Sequence, residues 1–193
     1  MRKLIFKLKG LSLLVGGCFF LVACVTEDAS VLILDDEGYP HYTPHYLTDT
    51  VGQKYFPLRV KASGHKRFVF DPKVSAWAVY DESGHRVITG RASGGKDYCE
   101  DTQSSCRTMV GRFKVYKKGN EKCVSGEFPI KTKGGAKMPY CMYFFRGFTI
   151  HAGYDFTDSN TSHGCIRVLP SAAKWLNESF ITLGTEVVVL PYH

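Results

Sequence analysis

The run Phe68-Val69-Phe70-Asp71-Pro72, followed by Ala76-Trp77-Ala78-Val79-Tyr80 and then Asp81-Glu82-Ser83-Gly84, decides the fold. It holds two short stretches rich in aromatic and β-branched residues, each closed by residues that favour turns. Stretches this short read as strands, and Asp81 to Gly84 reads as the turn of a hairpin whose next strand is Val87-Ile88-Thr89-Gly90-Arg91-Ala92. Further along, Val110 to Tyr116 alternates apolar and polar residues. Tyr140 to Ile150 is a strongly aromatic double run, interrupted at Arg146-Gly147. One helix is convincing, Ser171 to Phe180. It starts after Pro170, carries Ala172, Ala173, Leu176 and Phe180 near helical spacing, and stops before Leu183-Gly184. Glu186 to Leu190 ends the pattern as a strand before Pro191. Short strands with turns between them and one late helix predict a mainly-β sandwich or barrel, not an alternating βαβ sheet.

Upstream, Arg2, Lys3, Lys7 and Lys9 precede an apolar run from Leu11 to Ala23 that ends in Leu21-Val22-Ala23-Cys24. A basic start, an apolar middle and a small-residue end make a secretory signal over residues 1–23. With Cys24 at the cleavage position, the stretch also has the form of a bacterial lipobox, in which that thiol is acylated; plain cleavage nearby is the alternative. The run is short for a membrane span. Residues 24–66 then read as a tether or an arm laid on the domain, since the prolines around Tyr39-Pro40-His41-Tyr42-Thr43-Pro44-His45-Tyr46 block regular helix. The domain itself runs from residue 67 to 193. His41 and His45 lack nearby carboxylates and read as loop residues, not as metal ligands.

The formal charge is +7 over 193 residues, and removing the four basic residues of the signal leaves +3. That is too mild, and its lysines too scattered, for a nucleic-acid surface. It suits a weakly basic protein facing an anionic polymer such as a cell wall. Of seven cysteines, Cys18 lies in the signal and Cys24 at its end, so five remain. In an exported, oxidising setting four can pair and one stays free. Cys99, Cys106, Cys123 and Cys141 allow three connectivities. Pairing Cys99 with Cys106 and Cys123 with Cys141 is favoured, because each bridge then closes a local loop and Cys165 is left alone.

Cys165 lies in Ser162-His163-Gly164-Cys165-Ile166-Arg167, and a second histidine, His151, ends the apolar run Phe148-Thr149-Ile150. A cysteine between two proton acceptors reads as a nucleophile with a thiol pKa below the free value of about 8.5. Gly164 lets the backbone turn sharply, aiming two successive amides at one oxyanion. Arg167 adds fixed positive charge. The plainer alternative makes Cys165 half of a disulfide and the histidines surface residues.

Ile150-His151, followed at a distance by Ser162-His163-Gly164-Cys165-Ile166-Arg167-Val168, resembles the signature of the YkuD-type L,D-transpeptidases. The resemblance extends to Met138-Pro139-Tyr140 and to Arg107-Thr108-Met109-Val110-Gly111, and so covers roughly Arg67 onward. Two positions depart from the family pattern: Ala152 stands where glycine or serine is usual, and Met109 where proline is common. Neither removes a reacting group. The resemblance implies acyl transfer on peptidoglycan stem peptides, with Cys165 attacking, a thioester intermediate and loss of the terminal D-alanine. It implies His151 as base, His163 supporting the loop or the oxyanion site, and the amides of Gly164 and Cys165 as oxyanion donors. Arg167, Ser162, Tyr140 and Met138 become substrate-binding candidates. No cofactor or metal is expected. The expected partners are stem peptides and, through lipid on Cys24, a membrane; the protein is expected to be a monomer on the periplasmic side of the envelope.

Three alternatives remain open from sequence: a carboxypeptidase using water or an enzyme attaching a lipoprotein's lysine, a non-catalytic peptidoglycan-binding envelope protein, and a zinc protein using His151, His163 and Cys165.

Overall fold

The computed structural model describes residues 32–34, 40–42, 50–154 and 159–193. The predicted signal, Cys24 and His45 lie outside the described residues. In chain order the strands are β1 (Leu32–Leu34), β2 (Pro40–Tyr42), β3 (Arg67–Asp71), β4 (Ala76–Tyr80), β5 (Arg86–Ser93), β6 (Gly111–Lys114), β7 (Lys117–Lys118), β8 (Met142–Phe145), β9 (Phe148–Ala152), β10 (Ile166–Val168) and β11 (Glu186–Val189). A helix, α1 (Pro170–Trp175), precedes β11. β1 and β2 pair as a small hairpin. The other nine strands form one sheet, ordered β6-β11-β3-β4-β5-β10-β9-β8-β7.

β3, β4 and β5 form the antiparallel meander that their turn residues predict. Asp81 builds the turn, its carboxylate accepting the amides of Ser83 and His85. β4 is buried along its whole length because both faces of the sheet are covered there. Trp77 and Val79 face the main core with Phe68, Phe70, Val187 and Val189, while Ala76, Ala78 and Tyr80 face a second cluster with Phe56, Val69 and Val188. A strand covered on both sides reads as an unbroken apolar run, which explains its sequence. Part of the expected arm supplies the second cover. Phe56 is buried, Val60 N–H donates to Gly84 O, and Tyr80 Oη donates to Pro57 O.

The sheet curves into a half-barrel. Its distant strands β6 and β8 meet through Phe113, whose ring centroid lies 5.6 Å from Phe144 and 5.0 Å from Phe145. The helix plugs the concave side with Ala172, Ala173, Leu176 and Phe180. It begins one residue earlier than expected, since Pro170 fits a first helical position. From Leu176 to Phe180 it widens into a π-turn. That turn is anchored from outside the helix: Asn177 Nδ2 donates to Gly119 O at 2.9 Å, and Lys118 Nζ donates to the carbonyls of Asn177 and Ile181. The aromatic double run becomes the β8–β9 hairpin, with Arg146 in the left-handed region at the turn.

Candidate active site

β9 and β10 run parallel, pairing Ile150 with Ile166, His151 with Arg167, and Ala152 with Val168. Strand alternation then sorts the side chains. Ile150, Ala152, Ile166 and Val168 enter the main core. His151, Thr149 and Arg167 take the opposite face, joined by Cys165 one residue ahead of β10. Across β8 the same row continues, because Tyr143 pairs with Thr149. The parallel register thus brings together two residues distant in sequence, and His151 lies one step diagonally from Cys165.

His151 is buried at 6% exposure, and its Nδ1 lies 2.7 Å from Ala152 O. A carbonyl only accepts, so Nδ1 carries the proton and Nε2 offers its lone pair. Burial, reinforced by the positive charge of Arg167, lowers the imidazole pKa from 6.5 to about 4, against the opposing pull of the Ala152 hydrogen bond. Alanine serves here as well as serine would, since the backbone carbonyl holds the tautomer.

Among the described residues Cys165 is the free cysteine, and it is partly exposed. Burial by the surrounding protein pushes its thiol up to about 11, although a backbone hydrogen bond from Thr149 and the charge of Arg167 pull the other way. The direction is opposite to the lowering expected from residue type, because one nearby guanidinium does not outweigh desolvation. Both shifts favour thiol and imidazole over thiolate and imidazolium. Tyr143 feels the site too. Burial first, then the negative charge of an ionised Cys165, raise its hydroxyl above the ordinary range.

The loop leading to Cys165 is fixed from both sides. Ser162 N–H donates to Gly94 O at 2.9 Å, and Lys96 N–H donates to Ser162 O at 3.0 Å. Ser93 Oγ donates to Ser159 O and accepts the Thr161 amide, while Asn160 Oδ1 accepts the Gly94 amide. Gly95 packs against the loop so closely that a Cβ there would lie 2.9 Å from Gly164 Cα. Gly164 itself has φ +117°, and a Cβ would meet the Phe148 ring at 2.6 Å, so glycine is required twice over.

Ser162 closes the turn. Gly164 N–H donates to Ser162 Oγ at 3.0 Å, and that hydroxyl donates to Cys165 O at 2.5 Å. The Gly164 amide, expected to face an oxyanion, is engaged within the loop here, and Ser162, expected to meet substrate, is 1% exposed and holds the turn. Both arrangements have one physical cause, a hydroxyl closing the turn onto its own backbone.

His163 turns to a hairpin closed by a disulfide. Its Nε2 lies 3.0 and 2.8 Å from the two carboxylate oxygens of Asp101, and its ring lies 4.9 Å from that of Phe128. Tyr140 is half-buried with φ +58° and packs on the main core, while Met138 is buried. Cys99 pairs with Cys106 and Cys123 with Cys141. Among the described residues, one cluster has metal-ligand spacing: Cys99, Cys106 and His163. Both its sulfurs are in the disulfide, and it contains neither His151 nor Cys165, so the alternative zinc set does not form. Sequence reasoning missed Tyr143, Thr149, Ser93, Asn160 and Asp101; only the strand register and the fold bring them to the site.

The profile of the YkuD L,D-transpeptidase catalytic domain matches residues 64–189. No curated protein matches the chain. Among solved structures, an L,D-transpeptidase from Xylanimonas cellulosilytica is 24% identical with a TM-score of 0.57, covering 71% of this chain and 66% of its own. One from Stackebrandtia nassauensis is 23% identical with a TM-score of 0.53, covering 70% and 61%. L,D-transpeptidase 3 from Mycobacterium tuberculosis, in complex with a faropenem-derived adduct, is 18% identical with a TM-score of 0.53, covering 66% and 60%. The chain thus spans under two thirds of the length of each. These likenesses establish the shared fold.

Proposed function

Because this chain belongs to the YkuD L,D-transpeptidase catalytic-domain family, we propose that it is a cysteine-dependent acyltransferase acting on peptidoglycan stem peptides. The observation that carries this is the placing of a tautomer-fixed His151 and Cys165, the one free cysteine among the described residues, on a shared sheet face. Cys165 Sγ attacks the carbonyl of the diamino acid before the terminal D-alanine as its proton passes to His151 Nε2. The tetrahedral oxyanion is met by the Cys165 amide. Collapse breaks the peptide bond, and the D-alanine amine leaves with the proton from Nε2. An amine acceptor then loses its proton to Nε2, attacks the thioester and regenerates the thiol. Arg167 supplies fixed positive charge beside both reacting groups. Tyr140 and Met138 belong to the wall around His151, since Pro139 between them accepts the Ala152 amide.

Export follows from the signal-like residues 1–23 and suits the two disulfides, which persist in oxidising compartments. Among the described residues no helix is long and apolar enough to cross a membrane. Attachment through acylated Cys24 is the anchoring that the sequence supports. The mycobacterial protein carries a faropenem-derived adduct, and a β-lactam is accordingly proposed to acylate Cys165 here.

The test is product analysis with a disaccharide tetrapeptide. Release of D-alanine together with crosslinked dimer is expected. Release without dimer reassigns the acceptor to water, and neither product refutes the reading.

A further inference from the structure

The turn that faces His163 is built for rigidity. Cys99 N–H donates to Ser104 O at 2.9 Å and Ser104 N–H donates back to Cys99 O at 3.3 Å, so residues 99–104 form a minimal hairpin. Thr102 Oγ1 also donates to Cys99 O, and Ser104 Oγ donates to Thr102 Oγ1. The Cys99–Cys106 bond closes this hairpin into a small ring, with both cysteines buried. Asp101 sits at its tip with both carboxylate oxygens on His163 Nε2. The two sulfurs and a ring nitrogen of His163 lie within 4.8 Å of one another, so the imidazole rests on the disulfide while Phe128 covers it.

We infer that Asp101 is a positioning residue for the nucleophile loop, acting through His163, and that the Cys99–Cys106 ring is what presents it. The inference rests on the reading of Cys165 as nucleophile. Ser162 fixes one end of the Ser162 to Cys165 turn through its backbone and hydroxyl. His163, the next residue, is packed between the disulfide and Phe128, Asp101 gives its ring a directional polar contact, and its peptide leads directly into Gly164. Gly164 has left-handed φ and no Cβ to restrict it, so a constraint on either side decides where the Cys165 amide and thiol point. A carboxylate on Nε2 supplies that constraint and places the proton of His163 there. An exposed carboxylate–imidazole contact contributes little to global stability, so the effect belongs to the geometry of the loop.

The experiment compares wild type, Asp101→Ala, Asp101→Asn and Cys99→Ser/Cys106→Ser, each as the full secreted chain. The readouts are the acylation rate of Cys165 by a carbapenem, the thermal midpoint, and the 15N imidazole resonances of His163. Asp101→Ala should acylate about 10-fold more slowly, the worth of one charge-assisted hydrogen bond, at a near wild-type midpoint and with loss of the Nε2–H tautomer. Asp101→Asn, whose side-chain carbonyl still accepts from Nε2, should recover most of the rate. The double serine variant should be slowed as Asp101→Ala is, and adding Asp101→Ala to it should slow it little further, because the two act through one contact. Wild-type rate in folded Asp101→Ala, or an unchanged His163 tautomer, overturns the inference. If wild type itself forms no adduct, the nucleophile reading fails, and the tautomer comparison still decides whether Asp101 orients His163.

Discussion

Replacing His151 with glutamine should remove most of one acid-side component of stability. The unfolded chain carries an ordinary imidazole at 6.5, whereas in the fold its pKa is about 4. Between those values the unfolded state binds the extra proton, so this component is intact above 6.5 and is lost as pH falls toward 4. At about 1.4 kcal/mol per pH unit, lowering the pH from about 7 to about 4.5 costs wild type roughly 2–3 kcal/mol through this group. For a domain of this size that is on the order of 6–10 °C in Tm. His151→Gln has nothing to titrate there. Other groups also lose stabilisation in acid, such as Glu186, whose carboxyl is held low by bonds from Arg67 and Arg112 despite the burial that opposes them. They do so in both proteins, so the difference between wild type and variant isolates His151. Urea unfolding followed by circular dichroism at the two pH values measures it. Parallel loss of stability in wild type and His151→Gln would refute the account of a buried, neutral imidazole.

The same two pKa values predict that Cys165 acylation stays flat from above the His151 value of about 4 to below the Cys165 value of about 11, because the neutral pair is the reacting form throughout. A rate that climbs through an inflection between pH 6 and 8, roughly where an activated thiolate titrates, would show a preformed ion pair instead. Gly164→Ala should lose about 1–3 kcal/mol of stability and nearly all acylation, since the new Cβ meets Phe148 at an unfavourable φ; calorimetry alongside adduct formation checks both. Titration of the secreted domain, cut after Cys24, under denaturing but non-reducing conditions should find one free thiol, with three or five contradicting the pairing of Cys99 with Cys106 and Cys123 with Cys141.

The strands of the meander were legible because turn chemistry at Asp71-Pro72 and Asp81 to Gly84 punctuates apolar runs of strand length. The helix was legible from Pro170 and its apolar spacing, but its π-turn was not, since the anchors Lys118 and Asn177 come together only in the fold. His151 and Cys165 stood out by residue type. Their neighbours did not: Thr149 and Tyr143 reach the site through parallel and antiparallel registers that local pattern does not encode. The direction of the thiol pKa is hidden from the sequence for a related reason. Charge is visible in a sequence as Arg167, whereas the desolvation that outweighs it is a property of packing. The capture of the Gly164 amide by Ser162 is likewise hidden, because it depends on a backbone turn.

Under the proposed mechanism Cys165 Sγ is the atom that accepts the acyl group. Intact-mass spectrometry after brief incubation with a disaccharide tetrapeptide tests it most directly. Wild type should gain the mass of the donor less D-alanine, on the peptide containing Cys165, and Cys165→Ala should gain nothing while keeping its fold. An adduct of equal yield on folded Cys165→Ala, or turnover of the tetrapeptide by that variant, would contradict the account.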